Sequence, residues 1–384
     1  MAASIRHIAR VIAAIAALSV QQSPAWAQSE RLSRQQLDSL IQRLESENLV
    51  SVRLNALRRI GEFGTNAAAT TPHVEKLLTD SNSMIRAQAA FALGQIGIKA
   101  KAAVPGLSAL LSDPTQQVRA AAAQALGKIG IANKSAIQRL SKQAESEPHP
   151  NVRAFAVWTL GEFARTSTDA FNALLKATKD RSPDVRSTAI LALGRSRQKP
   201  KTTVPVLIEA LADKAYRNSA VSAHLFELTP VAADAADALG EFGPAAKQSE
   251  PALRAAMIKA RPMEVRLAAA RAIIQISKPD GDVRKVLFSA ARHKNETVRA
   301  FAIMTLGSLK GRKSAETITA IRKSLSDDSP VVRSAAARAI PKLGSDAGSF
   351  LPQLKRLQTD EFSFVRDSAR KAIEDIGRQK KAVK

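Results

Sequence analysis

The chain has 384 residues, with 58 Lys and Arg against 34 Asp and Glu, a formal net charge of +24, 45% hydrophobic residues and only 4% aromatic ones. That apolar content excludes a disordered chain, and zero Cys excludes a disulfide framework, a thiolate metal site and a cysteine nucleophile. The length allows two or three ordinary domains or one long repeat array.

Residues 1–27 carry the features of a secretory signal in the right order. Arg6, His7 and Arg10 are positive, Val11 to Val20 is apolar apart from Ser19, and Ala25-Trp26-Ala27 offers a small-x-small cleavage site. The apolar run is too short to span a bilayer, which takes about 20 residues. Cleavage after Ala27 removes two Arg and no acid, so the charge falls from +24 to +22. The mature protein, residues 28–384, is expected to be soluble in the periplasm or outside the cell.

Beyond Gln28 one unit recurs. A branched apolar residue followed by Arg appears at Arg53, Arg86, Arg119, Arg153, Arg186, Arg266, Arg299, Arg333 and Arg366, in steps of 33, 33, 34, 33, 80, 33, 34 and 33. The long step hides a tenth copy, Val231-Ala232, and an insertion at 214–230. Three positions after each Arg stands Ala, from Ala56 to Ala369; seven positions after stands Leu or Ile; ten positions after stands an apolar residue in all copies but Ser196. These offsets share one helical face, which is therefore core. A second helical segment precedes each unit, as at Val104–Leu111, Val204–Leu211, Ile318–Leu325 and Phe350–Leu357. Ser182-Pro183 and Ser329-Pro330 read as helix starts, and Ser33 with Gln36 as a capping box opening the first helix. Gly64, Gly97, Gly130, Gly243, Gly344 and Gly377 read as helix stops.

Two helices every 33 or 34 residues make an all-α solenoid. The unit Asp113-Pro114-x-x-x-Val118-Arg119-x-x-Ala122-x-x-x-Leu126-Gly127-x-Ile129-Gly130, with its counterparts, resembles HEAT-like repeats, in particular the short bacterial type first associated with phycobilin lyases. The resemblance covers about residues 31–379. It implies a scaffold whose second helices line a concave surface, and it specifies no single function.

Asp stands six residues before Arg in Asp80/Arg86, Asp113/Arg119, Asp180/Arg186, Asp327/Arg333 and Asp360/Arg366, and Glu in Glu47/Arg53 and Glu147/Arg153. A ladder running through the whole array reads as structural: an acid in the turn pairs with an Arg at a helix start, within or between units.

If the rows above are core, the outward stripe of the second helices lies two, five and nine positions after each Arg. On it Phe91, Phe155, Trp158 and Leu191 are apolar, rimmed by Gln95 and Arg195. They read equally as partner anchors or as a contact buried between units. Arg338, Lys342 and Lys371 make the far end of the stripe basic, and Arg378, Lys380, Lys381 and Lys384 extend it as a tail over 378–384. Repeat 6 places Asp234, Asp237 and Glu241 on the stripe, after an insertion that holds Tyr216, Arg217 and His224. Successive carboxylates of this kind are more simply a solvated face than a cation site.

No catalytic residue, cofactor or metal is expected. The His residues have no metal-ligand spacing, no His-Glu dipeptide occurs, and neither a phosphate-binding loop nor a nucleophile elbow is present. The expected function is therefore non-catalytic binding of another protein on the concave face. An electrostatic binder of an anionic polymer or membrane surface is the alternative, and lyase-like activity a remoter one. Nucleic acid is disfavoured by the export signal.

Overall fold

Each repeated Arg lies in the first turn of a helix, and each such helix has a partner before it. A computed structural model describes residues 25–46, 48–131, 133–217, 229–260, 262–309 and 314–382. Residues 1–24 of the expected signal 1–27, with Glu47, His224 and Lys384, lie outside the described residues. The second helices of the ten repeats are Val50–Phe63, Ser83–Ile96, Gln116–Ile129, Pro150–Phe163, Pro183–Ser196, Val231–Glu241, Met263–Ile276, Glu296–Ser308, Pro330–Ala339 and Ser363–Ala382. The first helices are Ala25–Ser46, Thr71–Lys76, Val104–Leu110, Lys134–Ser146, Thr168–Ala177, Pro200–Ala210, Glu250–Lys259, Gly281–Ala290, Ala315–Ser324 and Leu351–Leu357. The chain is thus an all-α solenoid of two-helix repeats. It divides into two compact units, one ending at Gln143 and the other beginning at Ala144.

The core follows the rows. All ten Ala of the small row, Ala56 to Ala369, are buried, as are nine of the ten Leu or Ile four residues on; Ile373, in the last repeat, is partly exposed. A further row escaped the sequence reading. Eight residues after the Arg, most repeats have Gly, and it faces a small residue of the next second helix. A Cβ on Gly94 would lie 2.9 Å from the Ala125 Cα; on Gly194 it would lie 2.8 Å from the Ala238 Cα; on Gly307, 2.7 Å from the Ala339 Cβ. Second helices within each unit therefore touch backbone to backbone. This sets an expected result. Gly194→Ala should destabilise by about 1–3 kcal/mol, because the obstruction is backbone and cannot swing away. Gly281→Ala, with nothing within 4 Å, should gain about 1 kcal/mol or less by stiffening the unfolded chain. Denaturant titration of both variants checks the contrast in sign.

Two helix boundaries differ from the sequence expectation. Ser33 does not open a helix: Ala25–Ser46 runs through it, since residues 25–32 contain no Gly or Pro to stop it. Gly377 does not end one: the last helix continues to Ala382, so the start of the basic tail is helical. Gly64, Gly97, Gly130, Gly243 and Gly344 do take positive φ. Ser329 caps the Val331 N–H through its side chain, whereas Ser182 precedes Pro183 without a side-chain cap.

The acid–Arg ladder has a defined geometry. Nε and Nη2 of Arg86 donate to the Asp113 carboxylate at 2.8 and 3.0 Å, and Nη1 donates to the Asp80 and Ser81 carbonyls. The same fork joins Arg153 to Asp180, Arg186 to Asp213, Arg299 to Asp327 and Arg333 to Asp360; Arg53 reaches Asp80 at 2.7 Å. The carboxylate partner is thus the acid of the following repeat, 27 or 28 residues on. The acid six residues back offers its backbone carbonyl, as in Asp113–Arg119 and Asp360–Arg366. Each Asp also accepts a backbone N–H two residues on, for example Thr115 on Asp113. One side chain so fixes its own turn and clamps the next.

Candidate interaction surface

In the first unit the outward stripe gathers Phe91, Gln95 and Lys128. The Lys128 ammonium lies 5.2 Å from the Phe91 ring centre and donates to Gln95 Oε1 at 2.8 Å. Partial desolvation there lowers the ammonium below the ordinary lysine value. The Phe91 ring thus serves as a cation platform.

In the second unit Phe155, Trp158 and Leu191 are each half-buried, and Arg195 is exposed. They are neither sunk in the core nor free, and each presents an edge on the stripe. Phe91 belongs to the first unit and these four residues to the second.

Of the acidic residues of repeat 6, Asp234 is buried, Asp237 partly buried and Glu241 exposed. Asp234 is 5% exposed; it accepts from the Ser187 hydroxyl and, at 2.8 Å, from Arg217 Nε. Arg217 lies in the insertion, on the short strand Tyr216–Arg217, which pairs antiparallel with Thr229–Pro230. The repeat that lost its ladder Arg to Ala232 is therefore tied down by an Arg from the insertion. Asp237 lies 3.6 Å from Arg271, and Glu241 2.6 Å from Arg197. Arg197 occupies a helix-end position where other repeats use Gly, at φ 51°. Burial raises the carboxyls of Asp234 and Asp237 above the ordinary range; Arg217 opposes this at Asp234 and Arg271 at Asp237. Each acid has a cation partner, and no group of three metal-binding side chains occurs among the described residues.

Arg271 also lies over the Phe301 ring, 5.5 Å from its centre. Phe301 is 46% exposed, the most open aromatic on the stripe. Beside it Met304 packs on Ala300, Val332 and Ala335, which carries the stripe from repeat 8 to repeat 9. A Ser334–Ser368 hydroxyl contact of 2.8 Å carries it to repeat 10. There Arg338, Lys342 and Lys371 are exposed, with no ion pair among the described residues. The sequence placed Phe301 and Met304 on the stripe but gave them no role. Their signal was the row itself: two large apolar residues where other repeats put small or polar ones.

The comparisons with known proteins agree with this architecture. The family profile for HEAT repeats matches residues 70–147, 137–224 and 284–374, so the chain belongs to the HEAT-repeat family, whose members are typically protein-interaction scaffolds. No curated protein matches. Among solved structures, a chain of the Kap95p–RanGDP complex aligns with a TM-score of 0.53 and 14% identity, covering 94% of this chain and 52% of that one. An engineered protein aligns with a TM-score of 0.42 and 22% identity over 89% of this chain and 99% of its own. A chain of the CpcE–CpcF complex of phycocyanin lyase from Nostoc aligns with a TM-score of 0.44 and 18% identity over 72% and 94%. The likeness to the Kap95p–RanGDP chain is one of fold. Among the described residues no helix is long and apolar enough to cross a membrane.

Proposed function

We propose that the chain is an exported, non-catalytic scaffold that binds another protein with the outward face of its second helices. The observation that carries this reading is the placement of Phe155, Trp158 and Leu191. Their neighbours in the core rows are wholly buried, yet these three stay half-exposed on one stripe in consecutive repeats. A large apolar side chain kept at a surface is favoured where a partner covers it. Export rests on the order of charge, apolar run and cleavage site in residues 1–27, and mass measurement of the protein isolated from its cell tests it by the presence or absence of that segment.

A purely electrostatic role is the second reading, supported by the charge of +24 and by Arg338, Lys342 and Lys371, which are exposed and have no ion pair among the described residues. Salt separates the two. A polyanion binder loses affinity steeply with ionic strength; an aromatic-anchored one does not. In a pull-down from envelope and medium, the scaffold reading expects a partner retained at high salt and lost with Trp158→Ala. Retention at low salt only, indifferent to Trp158→Ala, would sink it.

A further inference from the structure

We infer that repeats 8–10 hold an extended acidic segment of a partner protein, with one bulky apolar side chain on Phe301 and Met304 and carboxylates three and six residues further along on Arg338 and Lys371. The inference rests on the reading of the second-helix face as a binding surface and assigns it a ligand chemistry.

The argument is one of spacing and charge. Met304, Arg338 and Lys371 occupy the same position in three successive second helices, five residues after Arg299, Arg333 and Arg366. Neighbouring packed helices lie about 8–10 Å apart, and an extended chain in the polyproline-II conformation rises about 3.1 Å per residue with three residues per turn. One repeat is therefore spanned by about one such turn, so every third side chain, all on one side of the segment, meets a new helix. The apolar end of the track is open: Arg271 covers one side of the Phe301 ring and nearly half the residue remains exposed. The charged end has no ion pair among the described residues, whereas Arg197, Arg217 and Arg271 on the preceding repeats are already matched to Glu241, Asp234 and Asp237. On the stripe of repeats 7–10 the cations without an ion pair among the described residues, Arg338, Lys342 and Lys371, thus lie on one side of the apolar seat. Lys342, four residues beyond Arg338 in the 3-10 segment Ile340–Phe350 that follows its helix, widens the cationic contact at the middle position. A uniform polyanion would gain nothing from Phe301 and Met304 and would meet Asp375 at the far end of the stripe, whereas a peptide with one apolar residue and two spaced acids matches all three positions.

The test is fluorescence anisotropy with the full chain and a labelled ten-residue peptide carrying Trp, then Glu three and six residues later, in a Gly/Ser background. Expected is saturable binding, weakened at least tenfold by Arg338→Glu with Lys371→Glu and several-fold by Phe301→Ala, and abolished when both Glu of the peptide become Lys. Moving the two Glu to the next positions should weaken it, because they then face away from the helices. Thermal melts of the same variants exclude loss of fold; the charge reversals lie at exposed positions and keep the test open if Phe301→Ala unfolds. No binding, binding indifferent to Phe301→Ala, or equal affinity for heparin or for anionic phospholipid vesicles overturns the inference. If the peptide fails while Trp158→Ala still abolishes partner capture, the scaffold reading stands and only this ligand assignment falls.

Discussion

Arg153→Ala is expected to destabilise the chain by about 3–5 kcal/mol, the range for removing one member of a buried ion pair. Arg153 is 2% exposed, the most deeply buried rung of the ladder. Its Nε and Nη2 each meet the Asp180 carboxylate at 2.8 Å, and Nη1 meets the Glu147 and Pro148 carbonyls at 2.8 and 3.1 Å. Alanine leaves a carboxylate and two carbonyls without these donors beneath a second helix, and opens a cavity the size of a guanidinium. Arg153→Lys should rescue little, since an ammonium cannot serve both ends of the fork. In a solenoid each repeat contacts only its neighbours, so the loss should be local. Thermal unfolding should broaden or split, and amide exchange should accelerate first in residues 150–196. An unchanged melting profile would mean that the fork contributes nothing net. Trp158→Ala, by contrast, should alter binding with a smaller effect on the melt.

The ladder also shows where sequence reading reaches its limit. Acids six residues before an Arg and acids 27 residues after it are the same acids when the period is 33, because the two spacings sum to one repeat. No inspection of the string separates them; only the packing of one turn on the next does. The core rows had no such degeneracy, since their offsets all fall within one helix, and the small, Leu/Ile and apolar rows could be read directly. The Gly row eight positions after the Arg was present in the string, but its meaning depends on how closely the following helix approaches. The pairing in repeat 6 is hidden for a different reason. Its three acids sit on the outward stripe, yet Arg197 and Arg217, which match two of them, occupy a helix end and an insertion, both off the periodic grid. Phe301 lies on the grid, but the string does not show that it stays open while Phe155 and Trp158 are partly buried. The placement of the candidate surface was thus legible, while its charge pairing was not.

Acidification should unfold the array cooperatively below about pH 4, near the ordinary aspartate value of 3.8. At Asp360 the Arg333 hydrogen bond is the main cause that holds the carboxyl below that value. At Asp113, Asp213 and Asp327 burial pushes upward, and the Arg fork with the backbone N–H outweighs it. A carboxyl depressed in the folded state contributes stability that is fully present above the unfolded value and lost as pH falls through the folded one. Asp113, Asp213, Asp327 and Asp360 share that sign, so their losses coincide in one window. Asp234 and Asp237 run the other way. Their folded carboxyls are raised by burial, so their contribution is greatest below the unfolded value and fades as pH rises through the folded one. On descending from neutral pH, repeat 6 should therefore gain slightly before the ladder fails. Melting midpoints followed from pH 7 to pH 2 check both halves: a shallow rise or plateau first, then a steep fall. Asp360→Asn should flatten the fall by removing one titrating rung, at the cost of a lower midpoint at pH 7. A midpoint that declines evenly from pH 7 would contradict the account, because no rung titrates there.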